Sequence, residues 1–449
     1  MNTLLLQPTD VLFFRDGRPM DGSLSGHGST WPLPTVTHSI LHAALHRATI
    51  QGVHTHRLGK SGKIHSEDRD THGRKFGGLT TAGPFPVCTD GQWYFPRPLD
   101  AGIVRNTAPS LLPLNYDITS SLPKLLKYPV ANTKAPTKDT PHSWWSKHAW
   151  DAYLDKGSDT KVSDFKNDSD FSDTEHQIGI GIDPDTHTQN GEQFYSAQYL
   201  RIREGWRLGL LTKANDKLDS DPNHKRDLIP LLFEQEKHII AGGQQRTCTA
   251  KLAPPATSLP LPQGATITGK LVKWTLLTPS IFPRILTSEK NPTAHPGGWL
   301  PTWVDTDGDV QLLNGPGKNA AKRRNVKERR NVKEGTRIQA ALISALTGKA
   351  IPVTGYSLGH GYDTDTGNIE SKKATPKPTL YAVPAGSVYY FECADETAAK
   401  ELAAALNWHG TSPGTEIQNR RSSLLGEKGF GIGVCSSWTS HNGQRPPLG

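Results

Sequence analysis

The sequence predicts an α+β chain built as two similar halves with glycine-rich loops and long insertions, and three observations lead there. At 449 residues the chain is too long for one ordinary domain and long enough for two that each bury a core. A hydrophobic content of 35% supports a folded protein, while 43 Gly and 34 Pro put much of the backbone in turns and loops. The third is an order of elements (strand, helix, strands, helix, strand) whose logic recurs in the second half.

Asn2 to Gln7 is short and apolar, as a buried strand is. From Val36 to Ala48, the residues Val36, Ile40, Leu41, Ala44, Leu45 and Ala48 share one side at helical spacing, leaving His38, His42 and His46 on the other; this predicts an amphipathic helix. Ile178 to Ile182 and Phe194 to Arg203 read as strands flanking the turn-rich DPDTHTQNG, a long hairpin. Trp206 to Thr212 reads as a further strand, and Asp227 to His238 as a helix whose Pro230 sits near the first turn, where a missing N–H is tolerated. The loop AGGQQR and a strand from Thr247 to Leu252 follow. Pro254 to Gly264, rich in proline and small residues, reads as a linker. Beyond it, Lys270 to Leu277 and Ser387 to Phe391 are strands, and Glu396 to Asn407 is a helix with Ala398, Leu402 and Ala405 on one face. The turn GEKGFGIG then feeds a closing strand, Gly433 to Ser437. Glycines stand between the last helix and last strand of both halves, the pattern of a doubled ferredoxin-like, RRM-related chain. The expected domains are residues 1–260, with the hairpin inserted near 179–203, and residues 261–449, with the C-terminal Gly-rich loop.

The formal charge of +8 points to nucleic acid until its location is considered. Lys318 to Arg337 holds nine Lys/Arg against two Glu and contains RRNVKE twice in tandem, either a solvated loop or a phosphate-tracking arm. Asp151 to Glu175, with eight acidic residues against three Lys, reads as a flexible surface insertion. The four cysteines stand far apart with no CxxC pair, which argues against a zinc ribbon or a disulfide framework and for a reducing cytoplasm. The first residues lack a basic leader and no apolar run reaches eighteen residues, so neither secretion nor a membrane span is expected.

Five separated motifs carry a resemblance over nearly the whole chain: PTDVLFFRDGRPM (Pro8 to Met20), GIGIDPDTHTQNGEQFYSAQYLRIR (Gly179 to Arg203), AGGQQR (Ala241 to Arg246), PKPTLYAVPAGSVYYFE (Pro376 to Glu392) and GFGIG (Gly429 to Gly433). In this ordered set the chain resembles the third-subunit family of the type III-B CRISPR RAMP module (Cmr) effector complex, within the RAMP superfamily. The acidic stretch, the RRNVKE duplication and the His-rich beginning depart from that pattern. The resemblance implies a non-catalytic RNA-binding subunit in antiviral defence, made of two ferredoxin-like (RRM-like, RAMP) domains and needing no cofactor. It implies a protein that holds the repeat-derived 5′ tag of the CRISPR RNA (crRNA), docks on the large palm-domain (polymerase/cyclase-like) subunit, adjoins a backbone RAMP subunit and meets target RNA indirectly. Target cleavage and cyclic oligoadenylate synthesis would belong to those other subunits.

Several residues are candidates for the RNA contact. Gly429, Gly431 and Gly433 let backbone approach a phosphate, with Lys428 supplying charge and Phe430 a stacking face, although such glycines are also needed merely to join helix to strand. Gly242, Gly243, Gln244 and Arg246 offer a backbone nest and a bidentate donor. Arg15, Asp16, Gly17 and Arg18 form a polar turn whose guanidinium groups fork onto phosphate or pair with Asp16. Gly26, His27, Ser29 and Trp31 could receive a splayed nucleotide, or Trp31 could plug the core. On the hairpin, Tyr195, Tyr199, Arg201 and Arg203 share a face that could wedge against the guide or pack on a neighbour. Asp183 and Asp185 resemble a DxD metal pair but are more economically a turn. Eight of 18 histidines lie between His27 and His72. His38, His42 and His46 lack a completing carboxylate or cysteine for a metal, and a repeat-RNA processing endoribonuclease using His27 or His38 is the rival function.

Overall fold

Strand β1 (Asn2–Pro8) buries Leu4 and Leu6 and lies in the middle of the first sheet. The computed structural model describes residues 1–14, 24–26, 31–48, 78–101, 111–114, 121–132, 141–155, 160–183, 185–217, 225–288, 293–317, 333–357, 360–362, 369–371 and 375–440. Helix α1 (Pro34–Arg47) starts with proline at its first position, where the lost N–H is an orphan anyway, and packs Ile40, Leu41 and Leu45 into the core. Strand β2 (Gly78–Cys88) follows. Strands β3 (Ser172–Ile182) and β4 (Gln189–Ile202) form the expected hairpin, with the short strand Leu24–Gly26 parallel to β4. Strand β5 (Trp206–Lys217), helix α2 (Leu228–Leu232) and strand β6 (Thr247–Leu252) complete this part. The sheet order is β2-β5-β1-β6, antiparallel throughout, and two short strands, Lys225–Asp227 and Lys237–Ile240, raise it to six strands.

The second sheet comprises β7 (Leu271–Leu276), β8 (Ala340–Leu346), β9 (Val388–Cys393) and, after helix α3 (Glu396–Leu406), β10 (Gly433–Ser437). Its order is β8-β9-β7-β10, again antiparallel. Asp395 caps α3 by accepting the Ala398 N–H at 2.8 Å, and Ala399, Leu402 and Leu406 face the core. Within each sheet the four main strands, taken in chain order, lie as second, third, first, fourth. The result is a mixed α+β fold of antiparallel sheets, with several two- and three-stranded satellites.

Three expectations are corrected. The helix expected over Asp227 to His238 ends at Leu232, because Lys237–Ile240 pairs with β6 and buries Ile239. Asp227 accepts the Ile229 N–H and so starts the short helix. The supposed linker Pro254 to Gly264 is packed: Leu259 and Leu261 are buried beside Phe85, Trp150, Leu277 and Trp408, and the Trp408 Nε1–H donates to Pro262 O at 2.6 Å. The acidic stretch is built into the body where it is described. A helix over Lys147–Asp155 buries Trp150, Tyr153 and Leu154, and Phe171 is fully buried against Trp31 and Trp144. Aromatic burial outweighs the charge of the carboxylates, which stay at the surface or accept hydrogen bonds. The RRNVKE repeat lies outside the described residues.

A buried charge network ties the insertion to the second sheet. Lys273 of β7 is 3% exposed and sits 3.0 Å from Asp100, which is fully buried. Tyr153 donates to Asp100 at 2.5 Å and Tyr390 of β9 donates at 3.1 Å, so the carboxylate is held by three donors. Among the described residues no helix is long and apolar enough to cross a membrane.

Candidate nucleic-acid interface

The candidate residues fall into two places. The first lies where β1 runs out. Gly242 has φ +93° and a Cβ there would stand 2.6 Å from Phe13 O, so the turn needs glycine to lie against Phe13 and Phe14. Gly243 N–H donates to Phe13 O at 2.9 Å. Gln244 and Gln245 are both left-handed, and among the described residues their amides have no partner. Tyr199 is buried, donates to Gln244 Oε1 at 2.6 Å, and lies under the Arg246 guanidinium at 5.0 Å. Asp10 joins Arg201 at 2.9 Å and Arg246 at 3.4 Å, and Arg201 also pairs with Glu175. Arg203 pairs with Asp173 at 2.6 Å. The hairpin guanidinium groups are therefore already neutralised. Gly26 pairs with Ala197, and Tyr195 pairs with Leu24 and Gly179 through the backbone, which brings the hairpin and the amino-terminal segment together. Arg15, Arg18 and His27 lie outside the described residues, as does the Tyr195 side chain.

The second place is the seam between the two sheets. The turn Gly426–Lys428 continues through Gly429 (φ +103°) and Gly431 (φ +76°). A Cβ on Gly429 would come within 3.0 Å of Thr81 O, and one on Gly431 within 2.0 Å of Ser422 N. The glycines thus serve close packing of this turn on β2 and on the chain before it. The nest expected here is closed: the N–H groups of Lys428, Gly429 and Gly431 donate to Leu425, Gly426 and Pro279 carbonyls. Phe430 is corrected as well. It is fully buried with Ile281, Val353 and Ala382 and offers no stacking face.

Charge gathers around that turn instead. Arg420 donates to Thr81 O at 2.6 Å and Gly426 O at 2.9 Å. Burial pushes its guanidinium down to about 10, against the opposing pull of Glu427 and Glu416. Burial also lowers Lys428, which Glu427 raises and Lys377 lowers further. His38, expected on the outer face of α1, is only 8% exposed because β2 and the glycine turn cover that side; its ring contacts Thr81 Oγ1 at 3.2 Å. Its pKa falls to about 3, through burial first, then Lys428, His42 and Arg420. Among the described residues Lys377, Arg420 and Lys428 form no ion pair with a carboxylate. Sequence reading missed Arg420 and Lys377. The RR pair at Arg420 and Arg421 was a signal, yet Arg421 turns to the α3 carbonyl of Ala405 at 2.6 Å, so the pair splits between two tasks.

Beside this cluster a cavity of 540 Å³ opens on the seam, lined by Trp31, Pro34, Pro84 and Trp144 from one side and Pro279 and Ile351 from the other. Trp31 is half-buried: its Nε1–H donates to Pro84 O at 3.0 Å and its ring meets Trp144 and Phe171 edge-on, so it plugs the core while forming a cavity wall. The Asp183 carboxylate accepts the Asp185 and Thr186 N–H groups at 2.9 Å each, the turn expected of that pair. Among the described residues no three His, Cys, Asp or Glu gather as metal ligands.

The model of the CRISPR-associated protein (Cas_Cmr3) family matches residues 4–435. The chain belongs to this family. Cas_Cmr3 proteins are non-catalytic RAMP accessory subunits, and the chain has no enzymatic role of its own. A histidine nuclease finds no support in His38, held neutral and buried by the packing around it. A search of curated proteins finds no match. Two solved structures, of the type III-B Cmr-beta bound to cognate target RNA and of the same complex with AMPPnP in state 1, each contain a chain that is 14% identical with a TM-score of 0.37; 86% of this chain and 86% of that one are covered.

Proposed function

We propose that this Cas_Cmr3 chain is the subunit of a type III-B effector complex that holds the repeat-derived 5′ tag of the crRNA, docked on the large palm-domain subunit and beside a backbone RAMP subunit. Two ferredoxin-like domains, residues 1–260 and 261–449, are the architecture of this reading. The matching strand order of the two sheets supports it, since a β-α-β-β-α-β unit has that order. Between β7 and β8 the described residues of the second unit contain no helix.

The observation that carries the reading is the cation cluster at the seam. Among the described residues Lys428, Arg420 and Lys377 gather there without a paired carboxylate, and the burial of Arg420 and Lys428 makes their charged forms costly. A phosphate placed among them offsets both the crowding and the desolvation, and a strand lying so would bring a base to the neighbouring cavity and the Trp31 ring. The exposed turn at Gly242 to Arg246, with its two unpartnered amides, is a second point for a phosphate or ribose.

Fluorescence anisotropy with short crRNA fragments tests this. Tagged RNA binds more tightly than RNA with a scrambled 5′ end, and affinity falls with salt by a log-log slope of about 0.7 per neutralised phosphate. Lys428→Ala with Lys377→Ala lowers that slope by about one phosphate or more. Equal affinity for tagged and scrambled ends, or an unchanged slope, would refute tag capture at the seam.

A further inference from the structure

The hairpin of β3 and β4 carries a feature that RNA binding does not explain. Ile178, Ile180 and Ile182 alternate along β3 and therefore share one face, and they are 69%, 48% and 62% exposed. This face is not polar at its root: Leu200 and Ile202 of β4, paired with Thr174 and Ser172, pack into the first core. Beyond the polar pair His176 and Gln198 the same face turns apolar again and is exposed at Ile178, Ile180 and Ile182. Among the described residues β3 is also an outer strand of its three-stranded sheet, with β4 on one side only. From His176 to Ile182 it carries no lysine, proline or carboxylate, the devices that usually guard an exposed edge. A row of bare isoleucines on an unguarded edge is what a covered surface looks like when its cover is missing.

The charge around the row decides what covers it. Between His176 and Leu200 there are three carboxylates, Asp183, Asp185 and Glu192, and no lysine or arginine. Arg201 and Arg203, at the base, are taken by Glu175, Asp10 and Asp173. A phosphate backbone laid along this hairpin would meet net negative charge and no donor of opposite sign. The tip is also fixed: Asp183 N–H donates to Thr188 O at 2.8 Å and His187 N–H to Asp183 O at 2.9 Å, so its shape is set before any partner arrives.

We infer that the hairpin is a protein-docking arm: its isoleucine row seats in an apolar trough of a neighbouring effector subunit whose rim carries lysine or arginine opposite Asp183 and Asp185. This rests on the reading of the chain as a subunit of a multi-protein effector, and it departs from the expectation that the hairpin wedges against the guide. The isoleucines supply the buried centre of the contact and the carboxylates orient it.

The test compares wild type with the triple variant Ile178→Ser, Ile180→Ser, Ile182→Ser, co-expressed with the remaining subunits and guide of its own complex. The three side chains are exposed, so the variant keeps the melting temperature of the wild type. The expected result is loss of the variant from the purified complex, at about tenfold in affinity per isoleucine, while the isolated variant binds crRNA as the wild type does. Asp183→Lys with Asp185→Lys weakens assembly in the same assay and becomes stronger in RNA binding. Co-purification of the triple variant at wild-type stoichiometry overturns the proposal. So does a fall in crRNA affinity of the isolated variant, which makes RNA the occupant, or a wild-type dimer in sedimentation that the variant dissolves, which makes a second copy the occupant. Failure of tag capture reads out separately, as equal binding of tagged and scrambled RNA by the wild type, and leaves the assembly comparison intact.

Discussion

Replacing Asp100 with alanine removes the acceptor for a buried ammonium and two buried phenols. Lys273 is 3% exposed and lies 3.0 Å from Asp100; Tyr390 is fully buried and Tyr153 is 8% exposed. The Lys273 ammonium lies over the Tyr153 ring, whose centroid is 3.9 Å from Nζ, and donates to the Tyr153 hydroxyl at 2.6 Å, so Asp100 is its one carboxylate among the described ion pairs. Breaking one side of such a pair costs about 3–5 kcal/mol, most of it the penalty of the orphaned charge. For a cooperative unit of roughly 150–250 residues that lowers the melting temperature by about 6–20 °C. Differential scanning calorimetry measures it.

The same reasoning makes a second, sharper demand. If the cost lies in the orphaned charge, then Asp100→Ala combined with Lys273→Met is more stable than Asp100→Ala alone, by about 2 kcal/mol or more, because an apolar pair of similar volume replaces a buried ion pair at little cost. A single variant that loses less than about 1 kcal/mol, or a double variant no more stable than the single, would refute the assignment of this network as the clamp between the insertion and the second sheet.

Three other outcomes follow from the geometry. His38 has a folded pKa of about 3 against 6.5 unfolded, so the unfolded chain binds the extra proton between those values and stability is lost as pH falls below 6.5. The loss reaches about 2 kcal/mol by pH 5, read from urea midpoints, and His38→Gln flattens it. Gly431→Ala costs well over the roughly 1–3 kcal/mol of its left-handed backbone, since its Cβ meets Ser422 N at 2.0 Å. Gly269→Ala, also at positive φ (+70°) but with nothing within 4 Å, costs only the conformational part; equal melting shifts for the two would contradict the packing account.

Elements whose residues repeat with a period were legible in the sequence, and partners supplied from far away were not. α1, α3 and the closing strand are within two residues of their expected ends, and both hairpin strands end where expected to within one residue but start five or six residues earlier, because alternation and 3.6-residue spacing are local properties. His38 shows where this stops. Helical spacing puts it opposite Ile40 and Leu41, but β2 and the glycine turn, which arrive much later in the chain, bury that side too. Phe430 looks the same in GFGIG whether it faces in or out, and Val353 and Ala382 decide. In the acidic stretch the eight carboxylates hid the signal of the buried Tyr153 and Phe171. Lys273 stood out in LVKWTL as a charge inside an apolar strand, yet nothing local named Asp100 as its partner.

Net charge and cation placement answer different questions about RNA. Most of the formal +8 is matched by the +7 of Lys318 to Arg337, a property of local sequence. The seam cluster draws on residues 38, 377, 420 and 428, which only the fold assembles. Its members are few, but Arg420 and Lys428 are partly withdrawn from water and so interact with a phosphate at lower dielectric than a surface lysine does. Removing the duplicated repeat should therefore reduce the salt slope and weaken tagged and scrambled RNA alike, whereas neutralising Lys428 and Lys377 should narrow the gap between them. Binding isotherms of the two variants at two salt concentrations separate these effects. If deleting the repeat abolished the preference for the tag while the seam variant kept it, the site would lie on the repeat and the seam cluster would be reduced to packing.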